Sequence, residues 1–356
     1  MLELKNISTT TTLEETDKLL EGLPVVVDDT SLANLLDLSG GELWGLLKAA
    51  TRTDAGDQGS LYHKWKIPKR SGGHRTLYAP TGALKGIQTK IRDLIIDKAP
   101  KSDISVAYRN GMCPGDTAKK LAGSKVILKL DIKDFFPSIH QKYVKDYFKS
   151  LGYSNQVSNI LGGILCVKDK NRRFVCQGGT ASPMLANRIA EKMLDPVVLE
   201  NLPDGWDYVR YCDNLYMWPL PETDPKKCKH REVLSNVRAA IYCAGFSSHQ
   251  GSVVPYYRSQ RLLGLSVNKK ANMPREKYKK LRACLKNCST KGLTSQMSGA
   301  IRLGFQETGD AKVDIFRFIA FLRGLLNYYK DYMTQHKYCQ LQGWFDLAMA
   351  EYNENK

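Results

Sequence analysis

The chain has 356 residues, 42% hydrophobic and 25% charged, with 53 Lys and Arg against 36 Asp and Glu. This composition excludes an intrinsically disordered chain, and the length allows about two domains at roughly 150 residues each. No window approaches roughly 18 uncharged apolar residues, which excludes a transmembrane helix and a membrane partner. The N-terminus lacks the basic start and apolar core of a signal peptide, so a cytosolic protein is expected.

In chain order, residues 30–50 read as helices broken at Gly40-Gly41, with Leu spacing that fits one buried face. Tyr62 to Tyr78 alternates around Ser71-Gly72-Gly73, a hairpin that Pro80 ends. Residues 83–98 read as an amphipathic helix. Residues 125–131 (KVILKLD) read as a strand ending in Asp131, and 140–152 as a helix. A helix and short hairpin follow over 156–176, then a helix from Pro183 to Glu200. Residues 207–218 (DYVRYCDNLYMW) are two β-rich runs around a tight turn. Residues 231–244 are helical, and 261–267 (RLLGLSV) form a strand or hairpin. From Arg275 the pattern is helical, with breaks near Gly292 and Gly309. Residues 311–333 make the strongest helix.

Charge is distributed unevenly. Residues 1–40 hold eight acids and two bases, about −6, so the rest of a +17 chain carries about +23. Residues 258–291 hold eleven Lys and Arg and a single acid, Glu276. Such a stretch suits a polyphosphate backbone, because each neutralised phosphate releases counterions. The competing reading is a solvated basic face. The nine cysteines include no Cys-x-x-Cys pair, and no second pair joins Cys284 and Cys288 to complete a zinc site. Cys212 alone stands out, for its place between two β-rich runs.

Asp131 and Asp213 sit at strand ends in apolar settings. Converging strand-end carboxylates can hold the two divalent cations used in nucleotidyl transfer. Each alone has a plain structural reading as well, a helix cap for Asp131 and a turn residue for Asp213. Their neighbours change the balance. KVILKLDIKDFFPSI (125–139), CQGGTASPMLAN (176–187), YVRYCDNLYMW (208–218) and RLLGLSV (261–267) occur in this order. They resemble motifs A, B, C and E of reverse transcriptases. IPKRSGGHRTLYAP (67–80) looks like the fingers hairpin of the bacterial group, which includes retron and group II intron enzymes.

The resemblance implies an α+β right-hand polymerase: an N-terminal helical extension over 1–60, fingers and palm over 61–270, and a basic helical thumb over 271–356. It implies that Asp131, the Ile132 carbonyl and Asp213 hold two Mg²⁺ ions, with Mn²⁺ as a substitute. It makes Phe136 a steric gate against a ribose 2′-OH, and sets Gln177 and Gly178 under the incoming dNTP. Lys69 and Arg75 become clamps on its triphosphate, with Lys66 and Arg70 as alternatives to Lys69. Leu263 and Gly264 become the primer grip. Lys269, Lys270, Arg275, Lys279 and Lys280 would contact nucleic acid, within a stretch that interleaves cations with rings such as Tyr256 and Tyr257. Tyr328, Tyr329 and Trp344 read instead as core or oligomer contacts. The acidic N-terminus is not expected to touch nucleic acid.

One departure is serious. The catalytic box reads Tyr211-Cys212-Asp213-Asn214, with Asn where the family has its second Asp. Asn is neutral and a weaker ligand for a hard cation. Three readings stay open: a tolerated natural Asn, an introduced inactivating change, or a protein that has abandoned polymerisation. Two retron marks are also missing. The region before motif A reads GMCPGDTAKKLAGSK (111–125) in place of an Asn-Ala-x-x-His element, and LLGLSVN (262–268) lacks a Val-Thr-Gly. What remains looks like the compact unclassified bacterial reverse transcriptases, many of which act against phage. The resemblance implies a structured non-coding RNA as template or scaffold and a cDNA product. Template-independent or protein-primed synthesis is the further alternative.

Overall fold

A computed structural model of the protein describes residues 19–69, 72–109, 111–224 and 229–354. Helices α1 (Asp29–Leu35) and α2 (Gly40–Arg52) precede a hairpin of β1 (Tyr62–Pro68) and β2 (His74–Pro80). Then come α3 (Gly82–Ile91), α4 (Pro114–Leu121), β3 (Val126–Asp131), the single turn α5 (Phe135–Ser138), α6 (Gln141–Lys149) and α7 (Asn155–Leu165). The short β4 (Val167–Asp169) and β5 (Arg172–Phe174) pair before α8 (Ser182–Met193) and α9 (Asp195–Glu200). The hairpin β6 (Trp206–Tyr211) and β7 (Asn214–Pro219) leads through α10 (His230–Cys243) to β8 (Ser252–Pro255). A small hairpin, β9 (Arg261–Leu262) and β10 (Leu265–Ser266), joins three longer helices: α11 (Arg275–Lys291), α12 (Ala311–Tyr329) and α13 (Gln335–Glu354).

The central sheet has the order β6-β7-β3-β8, antiparallel throughout. Strand alternation divides its side chains between two cores. Val126, Leu128 and Leu130 enter the first, with the helices around α7 and α8. Ile127 enters the second, with Val209, Tyr216, Trp218 and the apolar stripes of α11, α12 and α13. Lys129 and Asp131 share the parity of Ile127, so they lie on the face turned toward the C-terminal helices. This is an α+β fold with its helices on both sides of an antiparallel sheet.

Several expectations shift in detail. The first helical break falls before Gly40-Gly41, not at them. Ser39 caps α2 in a reciprocal box with Glu42, so both glycines lie in its first turn. The helices of the N-terminal extension pack on the rest of the chain: Leu32, Leu36 and Leu43 are fully buried in the first core with Ile160 and Leu161. The helix read from Pro183 to Glu200 is two, because Pro196 lacks the amide that would continue α8. The strand β8 was not expected. It is four residues long, too short to show alternation, and it borrows its order from β3.

Candidate active site

Antiparallel pairing sets Asp131 opposite Asn214, and the Ile132 amide donates to the Asp213 carbonyl at 2.9 Å. The two carboxylates therefore flank one strand junction. Cys212, at the tip of the β6–β7 turn, has φ +59°, a left-handed conformation that costs a residue with a side chain. Asp131 is half exposed, and His249 Nε2 lies 3.9 Å from its Oδ2. Burial, and then the neighbouring Asp213 charge, raise the Asp131 pKa above its ordinary value, while His249 pulls the other way. Mutual repulsion of this kind is what a divalent cation relieves, so the donor set fits hard-cation binding. Among the described residues no cluster of three or more His, Cys, Asp or Glu completes a metal shell. Two carboxylates, a backbone carbonyl, water and substrate phosphates would have to do so. Asn214 Nδ2 donates to Asp213 Oδ1 at 2.7 Å. Its amide thus orients Asp213, a role an Asp side chain could not fill when ionised.

Sequence reasoning passed over the residue that holds this turn. Arg210, the penultimate residue of β6, has no exposed surface. Its Nε and Nη2 donate to Asp195 at 2.7 and 2.9 Å, its Nη1 to Asn187 Oδ1 at 2.9 Å, and the same Nη1 to the Cys212 carbonyl at 3.1 Å. Asn187 in turn donates to the Ala107 carbonyl at 2.6 Å, and Tyr208 Oη to Asp195 at 3.0 Å. Burial opposes the guanidinium charge, but Asp195 more than restores it, so Arg210 stays firmly charged. The signal was a lone Arg in the otherwise uncharged run YVRY. His249, whose amide donates to the Asp131 carbonyl at 2.8 Å, carried no such signal. Cys212 accepts from Tyr108 Oη at 3.4 Å, and burial pushes its thiol up to about 11, so it is no reactive nucleophile.

In the loop before α8, Gly178 has φ +108°, and a Cβ there would meet the Tyr78 carbonyl oxygen at 2.7 Å. The Tyr78 amide donates to the Gln177 carbonyl at 2.8 Å. The loop bearing Gln177 and Gly178 is thereby pressed onto β2. Lys69 and Arg75 are exposed near the tip of the β1–β2 hairpin and form no ion pair with a described residue; Lys66 is exposed opposite Thr76, and Arg70 lies outside the described residues. Phe136 is buried, with 8% of its surface open, edge-to-face on Phe135 at 5.5 Å. That burial serves packing in the first core.

Leu263 and Gly264 both have positive φ, +47° and +86°, forming the two-residue turn between β9 and β10. Tyr328 Oη donates to the Leu263 carbonyl, and Tyr329 Oη to that of Gly264 at 3.0 Å. The tyrosine pair thus anchors this turn to α12. Lys129, partly buried and lowered in pKa by that burial, reaches the Arg261 carbonyl and ties the same hairpin to β3. The basic residues that follow do not form one stripe. Lys269 and Lys270 are exposed before α11; Arg275, Tyr278, Lys279 and Arg282 line a groove of about 370 Å³, and Lys280 lines another on a different side.

A family profile described as "Reverse transcriptase (RNA-dependent DNA polymerase)" matches residues 67–249. The chain is 32% identical over 212 residues to the Retron Ec86 reverse transcriptase of Escherichia coli, covering 59% of this chain and 63% of that one. It is 30% identical over 288 residues to the Retron Mx65 reverse transcriptase of Myxococcus xanthus, covering 74% and 64%. It thus spans just under two thirds of these relatives. They are retron enzymes, although this chain departs from the retron pattern at 111–125 and 262–268. No helix among the described residues is long and apolar enough to cross a membrane. Asp131 and Asp213 both fall inside the matched segment, and the chain belongs to the reverse transcriptase family.

Proposed function

We propose that the protein is an RNA-directed DNA polymerase whose reacting centre is the Asp131–Asp213 pair. The observation that carries this reading is the apposition of the two carboxylates at the β3–β7 junction, inside the family segment. Two Mg²⁺ ions, or Mn²⁺ in their place, would activate the primer 3′ hydroxyl and stabilise the leaving pyrophosphate. Asp131, Asp213 and the Ile132 carbonyl are the residues that would hold them. Lys69 and Arg75 would meet the dNTP triphosphate, Phe136 would limit the sugar, and the Gln177-Gly178 loop would support the base pair. Leu263 and Gly264 would approach the primer backbone. Lys269, Lys270, Arg275, Lys279 and Lys280 would bind the duplex through phosphates. In hand terms, 61–270 serve as fingers and palm and 271–356 as thumb.

The template we propose is a structured non-coding RNA and the product its cDNA, in a bacterial cytoplasm. Similarity to retron enzymes supports an RNA partner, and the resemblance to defence-associated enzymes supports an anti-phage role. A second reading rests on Asn214: a polymerase shell that binds RNA with weakened or no catalysis. Mg²⁺-dependent dNTP incorporation on a primed RNA tests the proposal. Asp131→Ala and Asp213→Ala each abolish it; retained incorporation in either overturns the assignment. If Asn214→Asp alone makes DNA, the shell reading describes the protein as it stands.

A further inference from the structure

The tyrosines of 256–258, which the sequence groups with the basic C-terminal stretch, belong in space to the palm. The Tyr256 amide donates to the Lys125 carbonyl at 2.8 Å, directly beyond the β8–β3 pairing. Asn268 Nδ2 donates to the carbonyls of Tyr256 and Arg258 at 2.8 and 2.6 Å, and Asn268 Oδ1 accepts from the Gln260 amide at 3.0 Å. The backbone of this turn is pinned. Its rings are not covered: Tyr256 is 65% and Tyr257 75% exposed, in an edge-to-face pair at 5.7 Å.

Both rings line a groove of about 770 Å³, together with Lys125, Arg231, Arg258 and the apolar Pro255. No Asp or Glu among the described residues lines it; Lys229, a further lining cation, pairs with Glu232 at 3.8 Å, whereas Lys125, Arg231 and Arg258 form no ion pair with a described residue. Rigidly presented rings beside uncompensated cations are complementary to a strand with bare bases and phosphates. A duplex offers phosphates but no free base faces. The groove lies at the opposite end of β3 from Asp131, about 20 Å away at roughly 3.3 Å per residue.

We propose that this groove binds an unpaired segment of RNA, with Tyr256 and Tyr257 stacking on bases and Lys125, Arg231 and Arg258 on phosphates. It is a docking site apart from the reacting centre, and it rests on the polymerase reading only for the choice of RNA over DNA.

The test uses a 12-nucleotide single-stranded RNA carrying 4-thiouridine, and a blunt RNA duplex of the same sequence, with the full chain. Photo-crosslinks of the single strand are expected at Tyr256 or Tyr257. The pair Tyr256→Ala with Tyr257→Ala is expected to weaken single-strand binding at least about tenfold and duplex binding much less. Tyr257→Phe, which keeps the ring, is expected to bind as the wild type does. Lys125→Glu with Arg258→Glu should lower the slope of log affinity against log salt by about one to two. Crosslinks confined to other surfaces, or equal loss for strand and duplex, overturn the proposal. Asp131→Ala separates the two readings, since it should keep strand binding while losing DNA synthesis. Strand binding at the groove without synthesis by any variant fails the polymerase reading alone. Synthesis with unaltered strand binding in the tyrosine variants fails the groove alone.

Discussion

Arg210 offers a way to separate holding the fold from holding the proposed reacting centre. The guanidinium and its partner Asp195 are essentially inaccessible, at 0% and 2% of side-chain surface. Removing one member strands a buried charge. Arg210→Met and Asp195→Leu, each alone, are therefore expected to cost about 3–5 kcal/mol of stability. Replacing both by apolar residues removes both desolvation costs, so the double variant should recover most of that loss and unfold in urea near the wild-type midpoint. Activity should not recover with it. The bond from Arg210 Nη1 to the Cys212 carbonyl, 3.1 Å, is absent in the double variant, and that carbonyl belongs to the left-handed residue immediately before Asp213. A hydrogen bond from a charged donor contributes roughly 1.5–3 kcal/mol. If that energy holds Asp213 in its working position, losing it lowers kcat about 10- to 150-fold. Incorporation would be read in whichever of the wild-type and Asn214→Asp backgrounds makes DNA. The KM for dNTP should change little, since Arg210 has no exposed surface with which to touch a nucleotide. A double variant that regains both stability and kcat refutes the positioning role and leaves the network as a packing device.

Three further expectations follow from single contacts. Gly178→Ala forces a Cβ to within 2.7 Å of the Tyr78 carbonyl oxygen at φ +108°; it should cost about 1–3 kcal/mol in urea unfolding and raise the KM for dNTP. Phe136→Val should increase rNTP incorporation relative to dNTP, and because Phe136 is buried it should also lose on the order of 2–4 kcal/mol of stability; unchanged sugar discrimination would show that Phe136 is only a core residue. Tyr328→Phe with Tyr329→Phe removes two hydrogen bonds to the Leu263-Gly264 turn, about 0.5–1.5 kcal/mol each; the KM for primer-template should rise while kcat at saturation is nearly kept.

The elements were legible where local chemistry decided them. KVILKLD shows its strand by a short apolar run and its Asp by position, and Tyr211 to Asn214 shows a turn between β-rich runs. Gly72 and Gly73 both have positive φ, as the hairpin signal implies. The parts that stayed hidden are those settled by distant residues. β8 is ordered only by pairing with β3, and α2 begins at Ser39 because Glu42 completes its cap. The Arg210 network joins Ala107, Asn187, Asp195 and Cys212, and no spacing rule links those positions. The Tyr328-Tyr329 pair read correctly as core for Tyr329, which is 1% exposed, but its hydrogen bonds to a turn 65 residues earlier were invisible in the sequence. The basic stretch 258–291 looked continuous as a string, yet it divides among separate surfaces once α11 turns its residues outward in several directions.

The most direct test of the central claim is the sequence of the DNA made on a supplied RNA. The protein, Asn214→Asp and Asp131→Ala would each be given a primed RNA of known sequence, Mg²⁺ and all four dNTPs, and the products sequenced. DNA complementary to the RNA from the protein or from Asn214→Asp, with none from Asp131→Ala, is the predicted result. Homopolymer, or complementary DNA that survives Asp131→Ala, would contradict it.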